Sequence, residues 1–440
     1  MISYNEVSEK SFQGFIIIFI TQFISMIGSM IVSFAVIWYL AESTESSLIL
    51  SIASIASIVP MIIVSPFSGV IADKFNKNLI LIISDATQAL ATFVLIILFQ
   101  LNVAELWHIL VLLGIRGTCQ GFQNPVSVSL TPLMVPEKKI KKINSINQIF
   151  NSLINIASPA IGAIAVSTFT IQQIYWLDVF TFIPTAVILF LIRIPSVTNH
   201  EKGDKISFKK EFGEGLSYIK ESGLTSVFFM FATANFIVVP IFSLFPLLIL
   251  GHHEGTVTNY SWVEVLFQVG MIGGSILLMS SKRKSTMKSV ITSGMFLSVV
   301  LIGLALVPQG TWWLFYIACA ILGIDLAFID TQLMSVLQVT IPKELQGRVF
   351  ASMFTIIKSL NPVGLIIWGI IGEFTPIVAI FIISPAISII VYFILIKFTT
   401  MMHYGESYGN ESIAEESSET PVVEAEADLL TDYQTELEAS

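Results

Sequence analysis

Residues 375–398 read TPIVAIFIISPAISIIVYFILIKF, a run of 24 whose one charge, Lys397, stands near its end. At about 1.5 Å per residue, a helix of that length crosses a hydrocarbon layer of about 30 Å with a little to spare. The run is apolar at successive positions and lacks the period of two found in an outer-membrane strand, so it reads as a membrane helix and excludes a barrel.

Working outward, the same pattern marks runs at approximately 12–40, 47–71, 79–100, 106–132, 144–168, 172–194, 223–250, 258–281, 288–308, 311–337 and 349–372, which with the first makes twelve expected helices. The 440-residue chain is 54% apolar and 12% charged, far from soluble domains at about 45–50% and about 25%. That balance excludes a soluble globular enzyme. The formal net charge of −9 is local, because residues 401–440 hold eleven carboxylates and no Lys or Arg, leaving +2 for the rest. Nothing in that distribution points to nucleic acid. The tail composition predicts a disordered segment that the fold does not need.

Cys119 and Cys319 both fall inside apolar runs, so no disulfide framework is expected. The first apolar run is too long for a cleavable signal and ends without a small-residue site. His252 and His253 are adjacent and His108, His200 and His403 are scattered, a spacing that implies no metal. No glycine loop of the phosphate-cradling kind is present, so neither ATP nor another cofactor is implied.

Orientation follows from the basic residues, since cytoplasmic loops retain Lys and Arg. Counted against the spans, 20 of the 22 fall on one side, and the remaining two, Arg116 and Lys358, lie inside spans. Opposite loops carry only acids: Glu42, Glu45, Glu105, Glu254 and Glu373. Both termini are therefore expected in the cytoplasm. The one long connection, 195–222, is charged and places Phe212, Leu216 and Ile219 at helical spacing, the pattern of an amphipathic interfacial helix. The expected organisation is a six-helix half over 1–194, this linker, a second six-helix half over 223–399, and the acidic tail over 400–440. An internal repeat supports duplication: Val135-Pro136-Glu137 matches Ile341-Pro342-Lys343, and Ser158-Pro159 matches Asn361-Pro362.

Several short motifs carry more specific information. Gly69-Val70-Ile71-Ala72-Asp73-Lys74-Phe75-Asn76-Lys77 follows the second span. A glycine there could end the helix tightly, Asp73 could cap the next helix or accept from a cation, and Lys74 and Lys77 suit an anionic inner leaflet. Asn76 tolerates left-handed backbone. The fourth span carries Arg116-Gly117-Thr118-Cys119-Gln120-Gly121, and an Arg inside a span must be paired or hydrated, so it faces the bundle interior. It could serve coupling or only tie helices together. The fifth span carries Ser158-Pro159-Ala160-Ile161-Gly162, suited to a bend and close packing.

These stretches resemble the loop signature, the helix-four Arg-x-x-x-Gln-Gly element and the helix-five antiporter element of the major facilitator superfamily, with Ser158 in place of a glycine. Ala41-Glu42-Ser43-Thr44, Glu214-Gly215-Leu216-Ser217-Tyr218, Phe245-Pro246-Leu247 and Leu345-Gln346-Gly347-Arg348-Val349-Phe350 look like its macrolide-efflux branch, whose relatives include drug, siderophore and lysophospholipid transporters. The resemblance implies a monomeric inner (plasma) membrane carrier that exports a small amphipathic compound in exchange for protons. It also implies a cytoplasmic network of Asp73, Lys74 and Arg348 that favours the inside-closed state. A non-transporting membrane partner is the rival from another class.

Remaining intramembrane charges stand outside these motifs. Asp325, Asp330 and Lys358 could form an ion pair between sequential helices or take part in coupling. Glu264 and Asp178 lie roughly two turns from the acidic face, where a carboxylate could carry a proton or meet a cationic drug. Proton coupling is expected to run through Arg116 and a carboxylate, Glu264 first and Asp325 second, or else Asp178. Asp85 is expected to join Asp73 in the inner charge network. Gln120 and the aromatics Phe23, Trp38, Phe122, Phe236, Phe242, Phe328 and Phe354 are candidates to line an apolar drug pocket.

Overall fold

The computed structural model describes residues 9–74, 76–192, 208–281 and 285–399. Among them are thirteen α-helices: α1 Glu9–Thr44, α2 Ser47–Lys74, α3 Lys77–Gln100, α4 Leu106–Met134, α5 Glu137–Thr168, α6 Ile171–Leu191, α7 Phe208–Glu221, α8 Thr225–Leu247, α9 Val257–Ser280, α10 Met287–Ala305, α11 Trp312–Thr340, α12 Lys343–Phe374 and α13 Ile377–Phe398. α8 continues through a π-helical turn, Leu248–His252. Prolines at 136, 342 and 376 precede α5, α12 and α13, because a residue without an N–H costs nothing ahead of the first turn. The backbone amides of Thr170 and Thr256 are capped by Gln173 and Asn259, at 3.0 and 2.8 Å.

Eleven of these helices are long and apolar enough to cross a bilayer, where twelve were expected. The one that falls short is α4. It is 29 residues long, but Arg116, Gln120, Gln123 and Asn124 give it a polar face. α7 buries Ile219, leaves Leu216 exposed, and is tied to α12 by Ser352 Oγ donating to the Phe212 carbonyl at 3.1 Å. Residues 193–207 of the linker and 400–440 of the tail lie outside the described residues.

The helices α1–α6 and α8–α13 repeat one neighbour pattern. In the first set α4 packs on α2 and α3, and α1 packs on α5 and α6; in the second α11 packs on α9 and α10, and α8 packs on α12 and α13. The sets meet through α5 against α9 and α2 against α12, again a matched pair. Glycine permits the tightest of these contacts: a Cβ at Gly117 would run into the Ser57 carbonyl, and one at Gly323 into the Phe267 carbonyl.

One end of the molecule carries the loop acids and the other the lysines, and the apolar core differs between them. Toward the acidic end a single cluster joins both sets, with Trp38 and Tyr175 from the first and Phe245, Phe315 and Trp368 from the second. Toward the basic end the core splits into one cluster within residues 15–189 and another within 219–392. Among the described residues, the two sets therefore share one apolar core at the acidic end and hold separate cores at the basic end.

Candidate functional site: a buried ion pair, a lone carboxylate and a cavity

Four helices of the first set converge on one buried pair. Arg116 of α4 donates to Asp178 of α6 at 2.5 Å, and its second terminal nitrogen donates to the Ser29 carbonyl of α1 at 3.0 Å. The same carboxylate accepts from Ser29 Oγ at 2.7 Å and from Thr92 Oγ1 of α3 at 3.0 Å. Both side chains are nearly inaccessible, 4% and 6% exposed. A charge in such a dry site is tolerable only when paired and hydrogen-bonded, and here both conditions hold. The partner of Arg116 is thus Asp178 and not Glu264. Glu264 lies beside Tyr260 of α9 and Cys319 of α11. Tyr260 stacks on Phe34 of α1 at 5.0 Å, part of the seal at the acidic end.

The second set handles charge differently. Asp325 of α11 is buried against Ser293 and Leu297 of α10, and its Oδ2 has no hydrogen-bond partner among the described residues. No ion pair joins Asp325 or Asp330 to Lys358 among the described residues. α11 packs on α9 and α10 whereas α12 packs on α2, α7 and α8, so the two carriers of these charges face different neighbours. Asp330 and Lys358 are exposed.

At the basic end a cavity of about 800 Å³ opens between α1, α3, α4 and α5. Gln120 and Phe23 line it, and so does Asp85, which accepts a hydrogen bond from Gln123. Asp85, expected near the inner end of its helix, lies two turns into α3 and faces this space. Phe122, Phe236, Phe242, Phe328, Trp38 and Phe354 are not among its lining residues. Trp38 is buried in the joint core, and Phe242 packs there against Phe245 and Phe267 at ring separations of 5.6 and 5.2 Å. Phe354 packs against the basic-end core of the second set. The residues missed in the sequence, among them Gln22, Gln88, Asn144 and Asn147, had a signal: polar side chains recurring three and four apart within apolar spans.

The loop after α2 departs from its reading. α2 runs on to Lys74 and so does not end at Gly69. The cap of α3 is Asn76, with φ −64° and its side chain accepting from the Asn78 amide at 3.0 Å, so the Asn is not left-handed. The side chains of Asp73 and Lys74 and the surroundings of Gly69 lie outside the described residues. Lys77 opens α3. Arg348 pairs with Glu214 of α7 at 2.6 Å, which joins the linker helix to α12. Of the helix-five motif, Ser158 is buried, Pro159 stands inside α5, and a Cβ at Gly162 would meet the Phe34 ring at 2.6 Å.

At the acidic end, Glu373 of α12 reaches across to the start of α2, accepting from Ser46 Oγ at 2.9 Å, Leu48 N at 3.3 Å and Ser47 Oγ at 3.4 Å. A carboxylate at a helix N-terminus meets orphan amides and the favourable end of the dipole.

A helical bundle with repeated sets, sealed at one end and hollow at the other, defines a membrane transporter and not an enzyme. The family model for the Major Facilitator Superfamily matches residues 18–362, and the chain belongs to that family. Macrolide efflux protein A of Streptococcus pyogenes is 29% identical over 354 residues, 80% of this chain and 87% of that protein. The protein of the same name from Enterococcus faecalis is 28% identical over 322 residues, 73% of this chain and 99% of that one. Among solved structures, the nucleoside transporter NupG aligns with a TM-score of 0.71 at 11% identity, covering 87% of this chain and 98% of that one, which supports the fold. The chain is a multi-pass transporter of the plasma membrane, and the likeness to macrolide-efflux proteins holds.

Proposed function

We propose that the protein is a secondary exporter that moves an amphipathic, macrolide-type compound out of the cell in exchange for protons, by alternating access of two six-helix halves. The halves are 1–194 and 223–399, joined by the linker 195–222, with the tail 400–440 outside the transport body. The chain crosses the membrane twelve times as a monomer, α4 included, and both termini are cytoplasmic. α4 can cross despite its polar face because that face looks into the cavity and not into lipid. With the lysines inside, the described state is closed to the exterior and open to the cytoplasm, the state that loads cargo for export.

The observation that carries this reading is Asp325, a buried carboxylate with no cation paired to it among the described residues, on the helix that matches α4, whose Arg116 is fully paired with Asp178. Asp325 is the proton carrier of the scheme, Arg116 with Asp178 its fixed anchor. Asp330, Glu264 and Lys358 are secondary candidates for the proton path. Asp73, Lys74, Lys77 and Arg348 act on the inside-closed state, not on cargo contact.

Cells carrying the gene should accumulate less of a labelled macrolide than cells without it, and a protonophore should erase the difference. Equal accumulation across a drug panel, with the protein present in the membrane, would refute export. Cysteines placed at 102, 170, 255, 310 and 374 should react with an impermeant maleimide in intact cells, and those at 75, 140, 205, 285 and 344 should not. Reaction at 205 would overturn the topology.

A further inference from the structure

The cavity at the basic end says something about the cargo. Among the described residues, its walls carry eight side-chain amides, several hydroxyls and one carboxylate, that of Asp85, and no Lys, Arg or His. Amides both donate and accept, so a wall of them suits a solute rich in hydroxyl, ether or amide groups. Much of the apolar share comes from α1, where Phe19 and Phe23 meet Phe150 at 5.6 and 4.5 Å with Met26 and Met30 alongside, and the rest from residues such as Val128 of α4 and Ile143 of α5. The space is within the range that holds drug-sized ligands.

Asp85 is the one acidic side chain among the described residues of this wall, and none of those residues sets a cation against it. Gln123 donates to it, Gln88 in turn donates to Gln123 at 3.2 Å, and the nearby cation, Arg116, is committed to Asp178 and the Ser29 carbonyl. Asp85, Gln88 and Thr92 lie at positions i, i+3 and i+7 on one face of α3, and Thr92 contacts both the Gln88 carbonyl and Asp178, each at 3.0 Å. One hydrogen-bonded chain therefore runs from the cavity carboxylate to the anchoring ion pair.

We propose that Asp85 recognises a protonated amine on the cargo, and that the cargo class is a cationic amphiphile whose amine sits within a polyhydroxylated or glycosidic headgroup. This rests on the export reading above and narrows it. The ammonium takes the place at Asp85 that no side chain fills, the amides of α3, α4 and α5 hold the headgroup oxygens, and Phe19, Phe23 and the two methionines take the apolar body. A charge-assisted hydrogen bond of this kind is worth roughly a tenfold or greater change in affinity.

The test uses the purified full chain and two probes at neutral pH: a macrolide carrying a dimethylamino sugar, and the same macrolide with that nitrogen acylated so that it is neutral. Calorimetry should give at least tenfold tighter binding of the amine. Asp85→Asn, which keeps the Gln123 contact, should weaken binding of the amine about tenfold, leave the acylated probe within about threefold, and abolish discrimination. Asp85→Glu should keep the preference for the amine, showing that charge and not folding is responsible. Equal binding of both probes by the natural protein, or undiminished discrimination by Asp85→Asn, would overturn the inference. If that happens while cells still export macrolide in a protonophore-sensitive way, export stands and only the role of Asp85 falls. If neither probe binds nor is exported, both fall together.

Discussion

The first and last six helices repeat one packing pattern but treat buried charge in opposite ways. On α4, Arg116 is matched by Asp178 and by groups from two further helices, so four helices meet at one neutral knot. On its counterpart α11, Asp325 meets Ser293 and Leu297 of α10 with Tyr392 of α13 close by, and keeps an oxygen without a partner among the described residues. A matched pair is a tie that is costly to open, whereas a carboxyl without a cation can gain and lose a proton while its surroundings stay packed. Duplication of a fold thus need not duplicate its treatment of charge: one set pairs its buried ions, the other leaves a buried carboxyl without a partner ion among the described residues.

The largest effect expected of this contrast comes from the anchor. Arg116→Ala or Asp178→Ala leaves one buried charge alone, a loss of about 3–5 kcal/mol, and should lower the melting temperature in detergent and abolish gradient-driven export. Arg116→Met with Asp178→Leu should recover most of the stability without recovering export. A double variant no more stable than either single one would show that the knot is not held by this pair.

Next in size is the exchanging side. Asp325→Asn should cost no more than about 1 kcal/mol of stability, since the amide keeps the shape, yet uphill export should cease while downhill movement of the macrolide continues. Glu264→Gln and Asp330→Asn should each lose less. Full uphill export by all three at neutral pH would mean that coupling lies elsewhere.

A smaller shift is expected at the outer seal. Glu373→Gln weakens three contacts to the start of α2 and should move the equilibrium toward the outward-open state by several-fold, about 1 kcal/mol. Spin labels at positions 102 and 254, one in each set, should report a larger population of long distances. No change would remove Glu373 from the seal.

The smallest effect concerns His253, in the outer loop beyond α8. Burial, with His252 adding to it, pushes its imidazole down to about 4, and its ring lies against Phe315 and Trp312 at 4.8 and 5.6 Å. A histidine held neutral stabilises the closed form above its ordinary value of about 6.5, and that contribution is lost as pH falls toward 4. The melting temperature should therefore drop over that interval, and His253→Phe should flatten the drop. Parallel curves for the two proteins would contradict it.

Much of this was legible in the sequence because the bilayer imposes length and hydropathy on every span. The interior position of Arg116 followed from the cost of an unpaired charge, but its partner did not. Glu264 and Asp178 sit at similar depth by count, and only helix packing, α6 against α1 and α3, decides which carboxylate reaches the guanidinium. The cavity wall was partly legible, since Gln22, Ser25, Ser29 and Ser33 on α1 and Asn144, Asn147 and Asn151 on α5 form helical stripes of polar residues. Weighing aromatics instead hid it: Trp38 and Phe242 serve the core, as most large apolar side chains do. Asn76 was misread because a family glycine suggested left-handed backbone, where the side chain simply caps α3.

The central claim is that cargo and proton exchange through a carboxyl with no fixed cation, Asp325. Its most direct test is proton flux from proteoliposomes holding the full chain, after addition of a macrolide to the side the cavity faces and without an imposed gradient. The natural protein should move protons against macrolide, Asp85→Asn should do so only at higher macrolide concentration, and Asp325→Asn should move macrolide without protons. Macrolide-dependent proton flux of normal size through Asp325→Asn would contradict the account.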